Sequence, residues 1–221
     1  MVMDLDIKLK PYYDFVPKEG VMPLNQGNKY AILPWGDVEN AKLAVFIDAM
    51  TFLDVRKHAQ KRIDREVGGF LIGDALQEKG ALFIQITHLM MVQEIQHKSG
   101  EFIFTHEVWK TIDSLMSERY HDKQLLGWYH THPGIGLFLS PEDKFIQNNF
   151  FNHPWQVTLV LDPLTKYQVF YYSQKTKLVN VGFYIYTDKK NKEILVRLMR
   201  ELEIGEKREK CGRYRAHHIL T

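Results

Sequence analysis

Two histidines flank a threonine in His130-Thr131-His132-Pro133, and Ser140-Pro141-Glu142-Asp143 follows shortly after. Seven residues lie between His132 and Ser140, and two between Ser140 and Asp143. On an extended strand, residues at i and i+2 point to the same face. A strand through this stretch therefore offers both imidazoles to one metal ion, and a carboxylate at Asp143 can swing back as a third ligand. Two His and one carboxylate leave the fourth tetrahedral position open to water, the layout of catalytic rather than structural zinc. Zinc lowers the pKa of such a water from about 15.7 to about 7. A base must take its proton and later deliver it to the leaving amine. Glu66, at the head of EVGGFLIGD, is the upstream candidate. The glycines beside it, Gly68 and Gly69, let a backbone or a substrate approach closely. The Ser140 hydroxyl can donate to a developing oxyanion, where losing one donor typically costs about 10²–10³ in rate.

The same residues have structural readings. Serine is a favoured N-cap, proline suits the first helical position, and acids suit the first turn, so Ser140-Pro141-Glu142-Asp143 is also a good helix start. Paired histidines on a strand are often packed or solvated, and a lone Glu before Gly-Gly says little. The weight lies in the conjunction of all five residues. The two readings are compatible, because a helix N-terminus can hold Asp143 at a metal while Ser140 caps it.

Several elements must position these groups. KLAVFI reads as a short strand, and AMTFLDVRKHAQKRI as a helix with Met50, Leu53, Val55 and Ala59 at helical spacing. EVGGFLIGDAL and ALFIQITHLMMV read as antiparallel strands, with Gly68 and Gly69 as a close-approach or bulge point. Residues 92–103 read as a polar loop. THEVWKTIDSLMSERYH reads as a helix capped by Thr105, with Val108, Ile112, Leu115 and Met116 on one face. LLGWYHTH is a strand ending in a Pro-Gly turn, and SPEDKFIQNNFF opens another helix. WQVTLVLDP, KYQVFYY and KLVNVGFYIY read as three consecutive strands, and NKEILVRLMREL as a final helix. No β-α-β rhythm dominates, so the expected class is α/β or α+β rather than a doubly wound parallel sheet. Residues 1–40, punctuated by Pro11, Pro17, Pro23 and Pro34, are expected as an extended arm. A catalytic domain over 41–187 and a C-terminal helix with a basic tail over 188–221 complete the expected organisation.

Composition narrows the class. The chain has 221 residues, 45% hydrophobic and 25% charged, enough for one domain with a core. A formal net charge of +2 compels neither a nucleic-acid nor a membrane partner, although Lys and Arg concentrate between Lys189 and Arg215. The single cysteine, Cys211, rules out an intrachain disulfide and fits a reducing compartment. The N-terminus is acidic where a signal peptide is basic, and no run approaches a membrane span, so a cytoplasmic location is expected.

Glu66, His130-Thr131-His132-Pro133, Ser140 and Asp143 resemble the signature of the JAMM, or MPN-plus, zinc metalloprotease family. The stretch LGWYHTHPGIGLFLSPEDKFIQNNFF, followed by PWQVTLVLDP, is similar to the core of proteasome-lid and signalosome isopeptidases and closer still to bacterial Mov34/MPN/PAD-1 proteins. The likeness covers roughly residues 41–185. It implies a curved, mostly antiparallel sheet flanked by helices, cytidine-deaminase-like, with one catalytic zinc at an edge. It implies zinc ligation by His130, His132 and Asp143, acid/base work by Glu66 and oxyanion support by Ser140. Thr131 stands where many members have serine. The implied substrate is the amide bond after the C-terminal glycine of ubiquitin or a ubiquitin-like protein, its tail bound by strand addition. Thr131, Phe138 and Gly68 are the candidate substrate contacts, and the 92–103 loop is the candidate clamp. A second MPN protein or another subunit is an implied partner. No long second insertion follows Asp143, which leaves linkage preference open.

Other residues carry less. Cys211, His217 and His218 form a C-x5-H-H cluster with only three ligands in a basic terminus, and a solvated tail is the plainer reading. His58, His88, His106, His121 and His153 have no partner at metal spacing. Trp128 and Tyr129 should point to opposite sides of their strand, at least one of them in packing. Phe138 could equally close the core. Three functions compete with deconjugation. A maturation peptidase that trims a ubiquitin-like precursor would use the same chemistry. A non-catalytic MPN scaffold would usually lose ligands. A zinc nucleoside deaminase would need a Cys-x-x-Cys pair that one cysteine excludes.

Overall fold

A computed structural model describes residues 16–39, 41–92, 104–165, 168–174 and 177–206. Among the described residues, ten strands form one sheet: β1 (Lys18–Glu19), β2 (Tyr30–Trp35), β3 (Ala44–Asp48), β4 (Gly68–Glu78), β5 (Ala81–Val92), β6 (Gln124–Thr131), β7 (Val157–Leu161), β8 (Gln168–Gln174), β9 (Lys177–Val181) and β10 (Phe183–Asp188). Four α-helices lie among the described residues: α1 (Ala49–Gln60), α2 (His106–Glu118), α3 (Pro141–Phe150) and α4 (Glu193–Glu206). The strand order is β2-β10-β3-β5-β4-β6-β7-β8-β9, and β1 pairs with the far end of β4. The β2–β10, β4–β5, β4–β6, β7–β8 and β8–β9 pairs are antiparallel. The expected mixed class and mostly antiparallel sheet are what the chain forms.

The sheet is curled, and connectivity shows why. Strands β9 and β10 are separated only by Gly182, yet β9 is the last strand at one end and β10 the second at the other. One residue cannot span a flat sheet, so the two ends must approach each other. The rings of Phe170 on β8 and Phe183 on β10 lie 5.0 Å apart. Gly182 donates its amide to the Asp37 carbonyl at 2.8 Å, and a Cβ there would come within 2.5 Å of the Asp37 backbone. KLVNVGFYIY is therefore two strands, not the one its apolar pattern suggests. Alternation cannot reveal a break at which the chain leaves one end of the sheet for the other.

Two helical layers cover the sheet. Against one face lie α1 and α4, which contribute Phe52, Val55, Leu195, Leu198 and Leu202 to a core with Val45, Ile47, Leu71, Ile84, Tyr129 and Leu159. Asp48 caps α1 by accepting the amides of Met50 and Thr51. Met50 is exposed, and Phe52 anchors the helix in its place. Against the other face, α2 and α3 enclose Phe70, Ile72, Trp109, Ile112, Met116, Trp128 and Phe151. Thr105 caps α2 by accepting the amide of Val108.

The extended arm expected over residues 1–40 is a partial misreading. Tyr30–Trp35 pairs residue for residue with β10, from Asp188↔Tyr30 to Phe183↔Trp35. Pro34 fits this position because β2 is an edge strand, where a missing N–H costs no ladder bond. Met22, Tyr30 and Ile32 pack on Phe46, Phe83 and Tyr186, a patch of the sheet that the helices leave uncovered. The C-terminal helix expected outside the catalytic domain forms as α4, and it packs into the core on the α1 face.

Candidate metal centre

Strand alternation builds the ligand set. His130 is the last residue but one of β6, and His132 lies just beyond it, still held in the ladder by its amide bond to the Leu161 carbonyl at 2.8 Å. Trp128 packs in the α2–α3 core and Tyr129 in the α1–α4 core. His130 and His132 share Trp128's side, and both are buried. Their Nε2 atoms converge to 3.0 Å.

The third ligand comes from the start of α3. Ser140 and Asp143 form a reciprocal capping box. Ser140 donates its amide to Asp143 Oδ2 at 2.8 Å, and the Asp143 amide donates to Ser140 Oγ at 3.0 Å. The cap thus aims the carboxylate as well as starting the helix. Asp143 Oδ1 lies 3.3 Å from His130 Nε2, and Oδ2 lies 3.7 Å from His132 Nε2. One ligand atom from each of the three residues falls within 4.8 Å of the others. This group could hold a metal ion. Its donors suit one: two imidazole nitrogens facing each other in a dry setting are unfavourable unless a proton or a cation lies between them.

Electrostatics point the same way. Burial pushes the Asp143 carboxyl upward, but hydrogen bonds from both histidines and from the Ser140 amide outweigh it and hold the group well below the ordinary carboxylate range. Burial opposes charge on His132, yet Asp143, Glu66 and the Gly136 carbonyl raise its pKa overall. The cluster therefore favours positive charge at its centre. The N-terminus of α3 adds a partial positive charge that favours the anionic Asp143.

Glu66 precedes β4 by two residues, and its Oε1 is 3.6 Å from His132 Nε2. Two bonds hold this segment against the end of β6. The Val67 amide donates to Thr131 Oγ1 at 2.9 Å, and the Thr131 amide donates to the Val67 carbonyl at 2.9 Å. Thr131 has no exposed surface, so the side chain expected to touch substrate instead braces the segment that carries Glu66. Gly68 pairs directly with His130 across the β4–β6 ladder, which puts its missing side chain on the ligand face. It is buried. Gly69 is the close-approach point: a Cβ there would meet the Met90 carbonyl at 2.1 Å and the Tyr129 ring at 2.8 Å. The bulge itself lies further on, at Ile72/Gly73 against β5 and Leu71/Ile72 against β6. Phe138 is 45% exposed, with its ring centroid 4.9 Å from that of His132.

Some supporting residues escaped the sequence reading. The Gly136 carbonyl faces His132 Nδ1 at 3.0 Å, which leaves Nε2 for the metal. The buried Asp162 accepts the Gly134 amide at 3.2 Å and the Leu164 amide at 2.9 Å. Tyr171 donates its hydroxyl to the Leu137 carbonyl at 2.9 Å. Together these bonds tie the loop between the ligands to the β7–β8 turn. Asp162-Pro163 was a legible turn signal, but its target was not. His58 makes a 2.9 Å bond with the Tyr129 hydroxyl, far from metal spacing. The clamp expected at 92–103 lies outside the described residues but for Val92, and so do Cys211, His217 and His218. Among the described residues, no helix is long and apolar enough to cross a membrane.

A fold with helices on both faces of a curled sheet, and two histidines and an aspartate gathered at one strand end, defines a class. The family described as JAB1/Mov34/MPN/PAD-1 ubiquitin protease matches residues 40–153, and the chain belongs to it. The chain is 28% identical over 128 residues to the 26S proteasome regulatory subunit RPN11 of Eremothecium gossypii, covering 58% of this chain and 40% of that protein. It is 27% identical over 127 residues to the ubiquitin carboxyl-terminal hydrolase RPN11 of Saccharomyces cerevisiae, covering 57% and 40%. It is 26% identical over 133 residues to the COP9 signalosome complex subunit 5 of Caenorhabditis elegans, covering 59% and 35%. The match thus spans about two fifths of each relative's length. Among solved structures, protein DSY2949 from Desulfitobacterium hafniense is similar at TM-score 0.47 and 17% identity, covering 62% of this chain and 88% of that one. That likeness is too loose to carry weight.

Proposed function

We propose that this chain is a zinc-dependent isopeptidase that hydrolyses the amide bond after the C-terminal glycine of ubiquitin or a ubiquitin-like protein. The observation that carries the reading is the convergence of His130, His132 and Asp143 with the Glu66 carboxylate 3.6 Å from one of the imidazoles. Tetrahedral zinc with bonds of about 2.0–2.2 Å sets its donors about 3.3–3.6 Å apart. Here the two Nε2 atoms are 3.0 Å apart, and Asp143 approaches His130 through Oδ1 at 3.3 Å and His132 through Oδ2 at 3.7 Å. Bound there, zinc supplies Lewis acidity and makes water acidic enough to react near neutral pH.

The chain's own residues divide the remaining work. Glu66 takes the proton of the attacking water and returns it to the departing lysine amine, a role typically contributing about 10²–10⁴-fold. Ser140 Oγ accepts the Asp143 amide, so its hydrogen remains to donate to the oxyanion. Phe138 stands at the mouth of the site, where the modifier's extended tail would pass. Gly68 keeps the space beside His130 free of a side chain. Thr131 acts through Val67, by steadying Glu66. The names of the relatives, a ubiquitin hydrolase and subunits of two complexes, support modifier conjugates and a partner subunit as what this chain meets.

The test is cleavage of a panel of ubiquitin and ubiquitin-like fusions and lysine conjugates by purified protein, with a chelator and Glu66→Gln as controls. Cleavage after the terminal glycine, abolished by both controls, is the expected result. Activity confined to linear precursor fusions would make it a maturation peptidase. No cleavage and no bound zinc would leave a scaffold.

A further inference from the structure

The two histidine ligands are oriented by different means. His132 has the Gly136 carbonyl on Nδ1. Among the described residues, His130 Nδ1 is buried with no hydrogen-bond partner. Metal-ligating histidines almost always have their second nitrogen fixed by an acceptor. Something else must hold the His130 ring, and the indole of Trp128 lies flat against it. The ring centroids are 4.5 Å apart and the planes 12° from parallel.

Trp128 is itself locked. It has no exposed surface, and its Nε1 donates to Gln147 Oε1 at 3.1 Å. Gln147 is also fully buried. Its Oε1 accepts the Thr158 hydroxyl as well, and its Nε2 donates to the Phe151 carbonyl at 2.9 Å and the Gln156 carbonyl at 3.2 Å. This one amide therefore ties α3, the turn after it, β6 and β7 together. Gln147 lies four residues after Asp143 on α3, on the same helical face. The helix that supplies one ligand thus also supplies, one turn later, the group that fixes the plate behind another.

We propose that Trp128 and Gln147 are positioning residues of the metal centre. Gln147 fixes the indole plane, the indole sets the His130 ring, and the common helix sets the separation of His130 from Asp143. This rests on the metal-site reading above and adds the residues that tune it.

The test is zinc affinity, measured by competition with a chromophoric chelator on the full chain, together with the ligand-field bands of the cobalt(II)-loaded protein. Gln147→Met keeps the volume and removes the amide. Its expected effect is zinc binding weakened about 10–100-fold, the usual consequence of losing a group behind a metal ligand. Its cobalt bands should shift. Trp128→Leu removes the plate and should do the same, whereas Trp128→Phe keeps a flat ring and should recover most of the wild-type affinity. If Trp128→Leu fails to fold, the contrast between Gln147→Met and Trp128→Phe decides. A purely structural role would lower the melting temperature of the metal-free variants while leaving zinc affinity and cobalt bands unchanged, and that result overturns the proposal. A wild-type chain that binds no zinc overturns the metal-site reading and this inference together.

Discussion

On the α1–α4 side of the sheet, the core is built from apolar residues such as Val45, Phe52, Leu71, Leu159 and Leu198, and the buried Arg56 of α1 donates to the buried Gln168 side chain. On the α2–α3 side, aromatic packing around Phe70, Trp109 and Phe151 grades into His130, His132, Asp143, Gln147 and Thr158, all of them buried. Burying polar groups costs stability unless each finds a partner. The second face meets that cost with the capping box, the Gln147 amide and the Gly136 carbonyl. The contrast teaches a division of labour across one sheet. One face holds the fold together, and the other spends some of that stability on a centre of converging lone pairs.

The sharpest way to break this comparison is to remove chemistry without touching packing. Glu66→Gln should lower kcat/KM on a ubiquitin fusion by about 10²–10⁴-fold. Zinc content and melting temperature should stay near wild type. Loss of zinc along with activity would mean that Glu66 builds the site instead of working in it. The converse variant is Phe52→Ala, in the apolar layer. It should cost about 3–5 kcal/mol in denaturant unfolding while zinc stoichiometry holds at one per chain under native conditions. A change in stoichiometry would show that the two faces are not separable.

Ser140→Ala sits between these extremes, because the residue caps α3 and is also the proposed oxyanion donor. It should lose about 10²–10³ in kcat and about 1 kcal/mol of stability with the cap. Rescue of kcat by Ser140→Thr, which keeps cap and hydroxyl, would separate the donor from general disruption of α3. The smallest effect concerns pH. Burial holds His58 below its ordinary value, and the same holds for His153. At these two positions the unfolded chain therefore binds more protons than the folded one below about pH 6.5, so their contribution to stability should fall as pH drops through that value. His58→Gln should flatten the decline in urea titrations at several pH values. An unchanged slope would assign it elsewhere.

The convergence of His130, His132 and Asp143 was legible because strand alternation and helix capping are local rules. His130 and His132 needed only a period of two, and Asp143 needed only a Ser-Pro helix start. Glu66 stood out as an upstream acid beside paired glycines, and the resemblance added the acid/base role. What stayed hidden was non-local. Nothing in GWYHTH says that Thr131 reaches back to Val67, and alternation puts Trp128 on His130's side without setting the two rings face to face. Gln147 reads as an ordinary helix residue until the fold puts an indole and a threonine hydroxyl on its one carbonyl. The edge strand Tyr30–Trp35 was lost because Pro34 and its turn-rich flanks mask a six-residue pairing with a partner that comes 150 residues later. The break at Gly182 was lost because sheet curl is a property of the whole strand order.

The most direct test of the central claim is native mass spectrometry of the purified chain alongside Asp143→Asn, with zinc quantified per chain. The account predicts one zinc ion in the wild type and none retained in the variant, both proteins folded. A folded wild type with no zinc, or a variant that keeps its ion, would contradict it.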